Sequence, residues 1–332
     1  MKILVTGGSG YIGSHTSVEL INAGYEVIIV DNFFNSQPEV IDRIEQITHK
    51  RPLCYEGNVC DRQVLEKIFQ EHNIDAAIDF AAYKAVGESV SKPLMYYQNN
   101  LNALMTLCEV MQEHDCKNLV FSSSATVYGD PESVPINEES SLSATNPYGA
   151  TKLYGEAILQ DLHIADPQWS IAILRYFNPI GAHSSGLIGE NPNDIPNNLM
   201  PYICKVASGE LPYLNVFGDD YPTHDGTGVR DYIHVVDLAI GHIAALKTIC
   251  DTHNIDVFNL GTGTGYSVLD MVHAYETINQ AKVPYRITKR RPGDIAECYA
   301  DTSKAERVLH WRAERTLEEM CKDAYRFINH QV

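Results

Sequence analysis

The chain has 332 residues, 44% of them hydrophobic and 20% charged, with 25 basic against 43 acidic side chains and a formal net charge of −18. That balance excludes a protein built mainly to grip nucleic acid or a polybasic membrane surface, both of which need a basic footprint. The length suffices for one large domain or two joined ones.

The first half alternates two kinds of segment. Lys2–Thr6 is a short apolar and β-branched run, read as a strand. Tyr11–Ala23 has helical periodicity and stops at Gly24, a suitable C-terminal cap. Glu26–Asp31 reads as a second buried strand. Asp61 is placed to cap a helix over Arg62–His72, and Ile74–Phe80 follows as a strand. Met95–His114 predicts a long helix, Asn118–Ser124 a strand, Tyr148–Leu162 a helix and Trp169–Phe177 a strand. Repeated βα units of this length call for a parallel, doubly wound α/β sheet, a Rossmann-type fold. Residues 178–230 are rich in Asn, Pro, Gly and Asp; helix returns at Asp237–Cys250 and strand at Val257–Leu260. The expected division is a larger doubly wound domain over 1–177, with a returning segment at about 231–260, and a smaller interleaved α/β lobe within 178–332.

No apolar run is long enough to span a bilayer, and the first residues enter a strand pattern without signal-peptide anatomy. The eight cysteines show no CxxC and no paired spacing, so neither a zinc site nor any other metal site, nor a disulfide framework, is expected, and the cytoplasm is the expected compartment.

The first strand runs into Gly7-Gly8-Ser9-Gly10-Tyr11-Ile12-Gly13 at the start of a helix. Glycines allow a tight turn and close approach of the backbone to a pyrophosphate, whose charge sits at the helix N-terminus. The spacing is G-x-x-G-x-x-G, a weak signal by itself. The flanking strand and helix, and Asp31 at the end of the second strand, strengthen it. A carboxylate there suits a ribose 2′-hydroxyl and favours NAD over NADP; the alternative is that Asp31 only turns the chain. No GK[ST] follows, which excludes a Walker A loop.

Ser122-Ser123-Ser124 ends a strand expected to be central, where an open α/β sheet places its ligand crevice. Pro147 suits a first helical turn, and Tyr148 and Lys152, four apart, share one helical face. A free tyrosine has a pKa near ~10. A lysine ammonium and a nicotinamide cation close by would favour the phenolate. Tyr148 is then a candidate base for a sugar hydroxyl, with Ser124 bonding the same oxygen. The alternative, an ordinary exposed i,i+4 pair, would be preferred for YxxxK in isolation.

With these features the chain resembles the extended short-chain dehydrogenases/reductases and, within them, the UDP-glucose (UDP-galactose) 4-epimerases. The likeness spans nearly the whole length and rests on TGGSGYIGSH (6–15), KAVGES (84–89), FSSSATVYG (121–129), PYGATK (147–152), LRYFNPIGAH (174–183), IPNNLMPYI (195–203), DGTGVRDYIHVVDLA (225–239), NLGTG (259–263) and RRPGD (290–294). The resemblance implies a tightly held NAD, and an epimerisation through a 4-keto sugar that swings about its pyrophosphate linkage. It implies Asn32, Asn35, Ser36, Asn58, Val59, Phe80, Ala81, Lys84, Asn99 and Ser122 along the cofactor, with Phe177 near the nicotinamide. For the UDP-sugar it implies Asn178, Asn198, Leu199, Asn215, Val216, Phe217 and Asp294, with Arg230 and Arg291 on the diphosphate, guanidinium being suited to that anion. A plain ion pair with a neighbour such as Asp231 is the alternative for Arg230. A homodimer through Met95–His114 and Tyr148–Leu162 is also implied.

The chain departs from the family pattern in places. Asn58 stands where relatives often have Asp beside the adenine, and Ala81-Ala82-Tyr83 is uncommon. Cys298 looks to occupy the position of a bulky Tyr in relatives restricted to non-acetylated sugars. Its small size suggests room for an N-acetyl group, hence UDP-GlcNAc/UDP-GalNAc as further substrates; otherwise it is a small core residue. A 4,6-dehydratase on the same scaffold places Asp-Glu after its serine or threonine, whereas Ala125-Thr126 follow Ser124 here. A net dehydrogenase would accumulate NADH, and a non-catalytic nucleotide sensor would tolerate loss of the phenol.

Overall fold

The computed structural model describes residues 1–192, 196, 198–291 and 293–330; Ile195 and Asn197 of the 195–203 motif and Pro292 of the 290–294 motif lie outside them. In chain order the first unit is β1 (Lys2–Thr6), α1 (Tyr11–Asn22), β2 (Glu26–Asp31), α2 (Glu39–Thr48), β3 (Leu53–Glu56), α3 (Arg62–Glu71) and β4 (Ala76–Asp79). It continues with α4 (Val86–Ser91), α5 (Pro93–Glu113), β5 (Asn118–Ser124), α6 (Pro147–Ala165) and β6 (Ser170–Tyr176). Then come β7 (Asn178–Ile180), α7 (Leu199–Ala207), β8 (Leu214–Phe217), β9 (Val229–His234), α8 (Val235–Ile249) and β10 (Ile255–Leu260). The chain closes with β11 (Gly265–Ser267), α9 (Val268–Asn279), β12 (Tyr285–Thr288), β13 (Glu297–Cys298) and α10 (Leu317–His330).

Seven strands form one parallel sheet in the order β10-β6-β5-β4-β1-β2-β3. The order reverses between β1 and β4, so the crevice outside their C-terminal ends is the ligand position of a doubly wound fold. Both faces are covered. Ile3, Val5, Ile29, Ile78, Val120, Ala172 and Leu174 pack with the buried residues of α1 and α8. On the other face Leu4, Ile28, Ala77, Leu119, Phe121, Ile171 and Ile173 pack with those of α3, α5 and α6. Near-continuous apolar strands are what a sheet buried on both faces requires.

The local signals act as their chemistry dictates. Gly24 adopts φ 91° just past α1, the Asp61 side chain accepts from the Gln63 N–H at the start of α3, and Pro147 opens α6 behind an Asn146 cap. The sequence reading did not anticipate α2 and β3. Val40, Ile41, Ile44 and Ile47 give α2 a helical apolar period that turns Ile41 and Ile44 into the core, whereas β3 is a half-exposed edge strand without one.

A smaller sheet joins β11, β9 and β13, with β7 also on β9, while β12 pairs with β8. Met200, Ile203, Val216, Tyr232, Met271, Tyr275 and Met320 form a separate core around α7, α9 and α10. Thus β9 belongs to the small sheet, while α8 and β10 pack with the large one. Among the described residues no helix is long and apolar enough to cross a membrane.

Candidate active site

The glycine loop is shaped by close backbone packing. Gly7 takes φ 64°, and its N–H donates to the Val30 carbonyl at 2.8 Å. A Cβ at Gly13 would stand 2.3 Å from the Gly7 carbonyl oxygen, so this position admits no side chain. Gly10 caps α1 without a side-chain bond, and the first turn contains no acidic residue. The N–H groups of Tyr11, Ile12 and Gly13 therefore open a helix whose first turn carries no acidic side chain of its own. The Ser9 hydroxyl is buried there without a partner among the described residues. These features fit a dinucleotide pyrophosphate.

Asp31 is buried and already engaged: its carboxylate accepts from the Ser9 N–H at 2.9 Å, the Phe33 N–H at 2.9 Å and the Ser36 hydroxyl at 3.1 Å. It thus ties the glycine loop to the loop after β2, and both readings of this residue, turning the chain and facing a ribose, are compatible with its four lone-pair positions. Asn32 accepts from the Phe34 N–H, and Asn35 lies in the same loop. Asn58 caps its own turn by accepting from the Cys60 N–H, Val59 is buried, and Asn99 donates to Asn100. Phe80 and Ala81 donate their N–H groups to the Thr6 hydroxyl, each at 3.2 Å, at the switch point.

The pleat of β5 separates its three serines. Ser122 bonds the Tyr176 hydroxyl, on the face occupied by Val120 and Leu174. Ser123 points to the opposite face and donates to the buried Glu156 carboxylate. Ser124 accepts from the Thr126 N–H at 3.2 Å and its hydroxyl at 3.0 Å. Tyr148, Lys152 and Glu156 recur every fourth residue along α6, one stripe facing this strand. Burial pushes the Tyr148 phenol up, and hydrogen bonding to Ser124 pulls it back. Lys152 is 5% exposed; its ammonium donates to the Ser122 carbonyl at 2.6 Å. Burial lowers its pKa to about 8, against the opposing pull of Asp79 and Glu156. In the protein alone, burial outweighs the expected help of the ammonium to the phenolate, so a favouring charge has to come from what binds beside it.

In the smaller lobe Arg230 donates to Asp294 at 2.5 Å and to the Val229 carbonyl at 2.8 Å. The neighbour expected as its alternative partner, Asp231, instead accepts from Thr262, Gly263 and Ala300. Arg291 stacks on the Phe217 ring, 3.9 Å from its centroid. Asn215 accepts from the Arg286 Nε at 2.7 Å, and Val216 is buried between these two. Asn178 is exposed on β7 and Leu199 begins α7. Phe177 and Cys298 are buried in one cluster with Ala125, Val127 and Tyr128, beneath the strand that ends at Ser124.

Three groups escaped the sequence reading. Asp79 accepts from the Thr6 hydroxyl at 2.5 Å, and burial raises its pKa. Arg175 binds Glu156 at 2.6 Å inside the fold. Glu190 accepts from Lys84 at 2.8 Å and from Asn198 at 2.6 Å. No local motif marks an isolated acid in a loop or an arginine in an apolar strand; i,i+4 spacing from Lys152 was the available signal for Glu156.

Comparison with known proteins agrees with this geometry. A family model described as GDP-mannose 4,6 dehydratase matches residues 4–324. A UDP-glucose 4-epimerase of Bacillus subtilis is 59% identical over 332 residues, covering 100% of this chain and 98% of that one. The chain belongs to the UDP-glucose 4-epimerase family. Within that family, the Pasteurella multocida protein is 57% identical over 98% of this chain and 96% of its own. The Bifidobacterium longum epimerase, solved in complex with NAD+ and UDP, superposes with a TM-score of 0.97 at 55% identity, covering 99% and 98% of the two chains. The Stenotrophomonas maltophila epimerase, solved with NAD and a formylated UDP-arabinopyranose, gives 0.98 at 50% identity, covering 100% and 98%. The matching model is named for a dehydratase, yet this epimerase-family chain has Ala125-Thr126 after Ser124, with no acid–base pair at that place.

Proposed function

We propose that the protein interconverts UDP-galactose and UDP-glucose by transient oxidation at the sugar C4, an isomerase reaction with NAD as resident cofactor. NAD, when bound, supplies the hydride acceptor and donor for C4. Gly7, Gly10, Tyr11, Ile12 and Gly13 hold its pyrophosphate, Asp31 and the 32–36 loop the adenosine ribose, Asn58 and Val59 the adenine side, and Phe80, Ala81, Lys84, Asn99, Ser122 and Phe177 the rest. Tyr148 takes the proton of the 4-hydroxyl, and Ser124 bonds the same oxygen. Lys152, fixed on the Ser122 carbonyl, brings positive charge one helical turn away.

Arg230 and Arg291 grip the diphosphate, and Asn178, Asn198, Leu199, Asn215, Val216, Phe217 and Asp294 surround the nucleoside and sugar. A fixed grip on UDP leaves the 4-keto sugar free to turn about its pyrophosphate linkage, after which C4 would regain the hydride on its other face while Tyr148 returns the proton to the 4-oxygen. The observation that carries this reading is the Tyr148 phenol beside Ser124, with Lys152 behind, at the C-terminal end of a central strand. Incubation with UDP-galactose followed by chromatographic separation of the C4 epimers tests it. Accumulation of NADH without epimer would instead identify a net dehydrogenase.

Cys298 extends the proposal to UDP-GlcNAc and UDP-GalNAc. It is small and buried in the same cluster as Phe177. Turnover of UDP-GlcNAc, lost selectively in Cys298→Tyr, is the expected result; no turnover by the unaltered protein removes this extension.

A homodimer through α5 and α6 completes the reading. Leu94 (71% exposed) on α5 and Tyr154 (50%) on α6 give that surface an apolar character. The expected compartment is the cytoplasm, in keeping with eight free thiols.

A further inference from the structure

Glu190 joins two sets of residues that the sequence keeps far apart. It follows a small hairpin in which Ala182 pairs with Gly189 and the His183 N–H donates to the Ile188 carbonyl. That hairpin is pressed against α10, since a Cβ at Gly189 would stand 2.5 Å from the Phe327 ring. The backbone carrying Glu190 is therefore fixed from both sides. Its side chain is 9% exposed. One carboxylate oxygen, Oε1, accepts from both the Lys84 ammonium at 2.8 Å and the Asn198 amide at 2.6 Å. The other, Oε2, is buried with no partner among the described residues. The Lys84 ammonium also lies 5.9 Å from the centroid of Tyr11, the first residue of α1.

A carboxylate can only accept, so the contact fixes the Asn198 amide with its NH₂ toward Glu190 and its oxygen free for another donor. It also holds one of three ammonium protons of Lys84 and leaves the others available. A carboxylate buried to this extent, with one oxygen unmatched, costs the fold free energy that its two charge-assisted donors must offset. Such a group constrains both donors together: moving either alters what the other meets.

We propose that Glu190 is a positioning residue that sets Lys84, on the dinucleotide side, and Asn198, on the UDP side, in one mutual arrangement. The inference rests on the functional reading above, which assigns those two residues to the two ligands. Glu190 itself is assigned to neither ligand and acts through these two side chains.

The test is equilibrium binding of UDP, by calorimetry, to the protein carrying its dinucleotide, together with the dinucleotide content of purified protein and its melting temperature. Glu190→Ala should weaken UDP binding roughly tenfold, the usual effect of losing a bond to a charged group, and lower dinucleotide content. Glu190→Gln keeps an acceptor and should recover most of the loss. Lys84→Ala, at a residue outside the UDP set, should weaken UDP binding measurably in the native background and have no effect on it beside Glu190→Ala. A merely structural Glu190 would lower the melting temperature and leave UDP affinity of the folded protein unchanged, which overturns the proposal. So does an equal effect of Lys84→Ala in both backgrounds. If Glu190→Ala does not fold, Lys84→Ala decides alone: an unchanged UDP affinity overturns the coupling. An unaltered protein that holds dinucleotide and UDP normally leaves the functional reading standing in each of these cases, whereas one that binds neither removes that reading and this inference together.

Discussion

The Lys152 ammonium and the Ser122 carbonyl oxygen are 2.6 Å apart, so a strand end holds the lysine that stands one helical turn from Tyr148. The bond satisfies one donor of a charge that is otherwise buried. Burial lowers the pKa of this ammonium to about 8.

That shift sets the sign of a stability effect. Below pH 8 the lysine is charged in both the folded and unfolded chains, and the full burial penalty applies. Between 8 and the free value of ~10.4 the folded chain sheds its proton first, so stability rises with pH. Relative to Lys152→Met, the protein should gain up to about 1.4 kcal/mol per pH unit across that window. Urea unfolding of both proteins at about pH 7.5 and about pH 9.5 measures it; a constant difference would mean the ammonium is not destabilised by burial.

Ser124 acts on the phenol in the opposite direction to burial. Removing its hydroxyl should raise the Tyr148 pKa, so the rising limb of the pH–rate profile moves to higher pH in Ser124→Ala. Turnover near neutrality should fall by roughly 10²-fold, within the range of general acid–base contributions. Ser124→Thr retains the hydroxyl and should restore most of both. An unmoved rising limb would separate Ser124 from the phenol.

Tyr148→Phe tests the base itself. Epimer formation should drop by roughly 10³-fold, while the dinucleotide content of purified protein stays at the unaltered level. Near-native turnover in this variant ends the catalytic assignment.

The Arg175–Glu156 pair is sealed inside the fold, with side chains 3% and 1% exposed. Glu156→Gln or Arg175→Met leaves one buried partner unmatched and should cost about 3–5 kcal/mol in denaturant unfolding. The double variant Glu156→Leu with Arg175→Met should be less destabilised than either single one. Additive losses would show that the two side chains act independently.

Gly13→Ala drives a methyl group into the Gly7 carbonyl. The loop has to open, and the purified protein should contain little or no dinucleotide, read from its absorbance spectrum. Undiminished content would mean that this loop does not carry the pyrophosphate.

What could be read from the chain were features that local chemistry sets. Asn118–Ser124 is a strand with the expected bounds, because a buried parallel strand is a continuous apolar run bounded by a change of texture. Tyr148 and Lys152 were visible because helical spacing alone puts them on one face. The edge strand β3 was not visible, since half-exposed residues leave no period to detect. Nor were the pairings of Glu190 with Lys84 and of Asp79 with Thr6, 106 and 73 residues apart. Long-range pairings of this kind exist only once the sheet order is set. The Arg230–Asp294 bond was out of view for the same reason, since Asp294 comes beside Arg230 only through the loop after β12.

The alternation along β5 has a consequence for how this chain can change over time. Because Ser122 and Ser124 face one way and Ser123 the other, inserting or deleting one residue upstream within the strand would exchange the hydroxyl that braces the interior with those that serve the crevice. The composition would hardly differ, and the sheet could still form, yet the molecule would lose its chemistry and its anchor at once. Drift in this strand is thus confined to substitutions, and its length is locked by the parity of three neighbouring side chains.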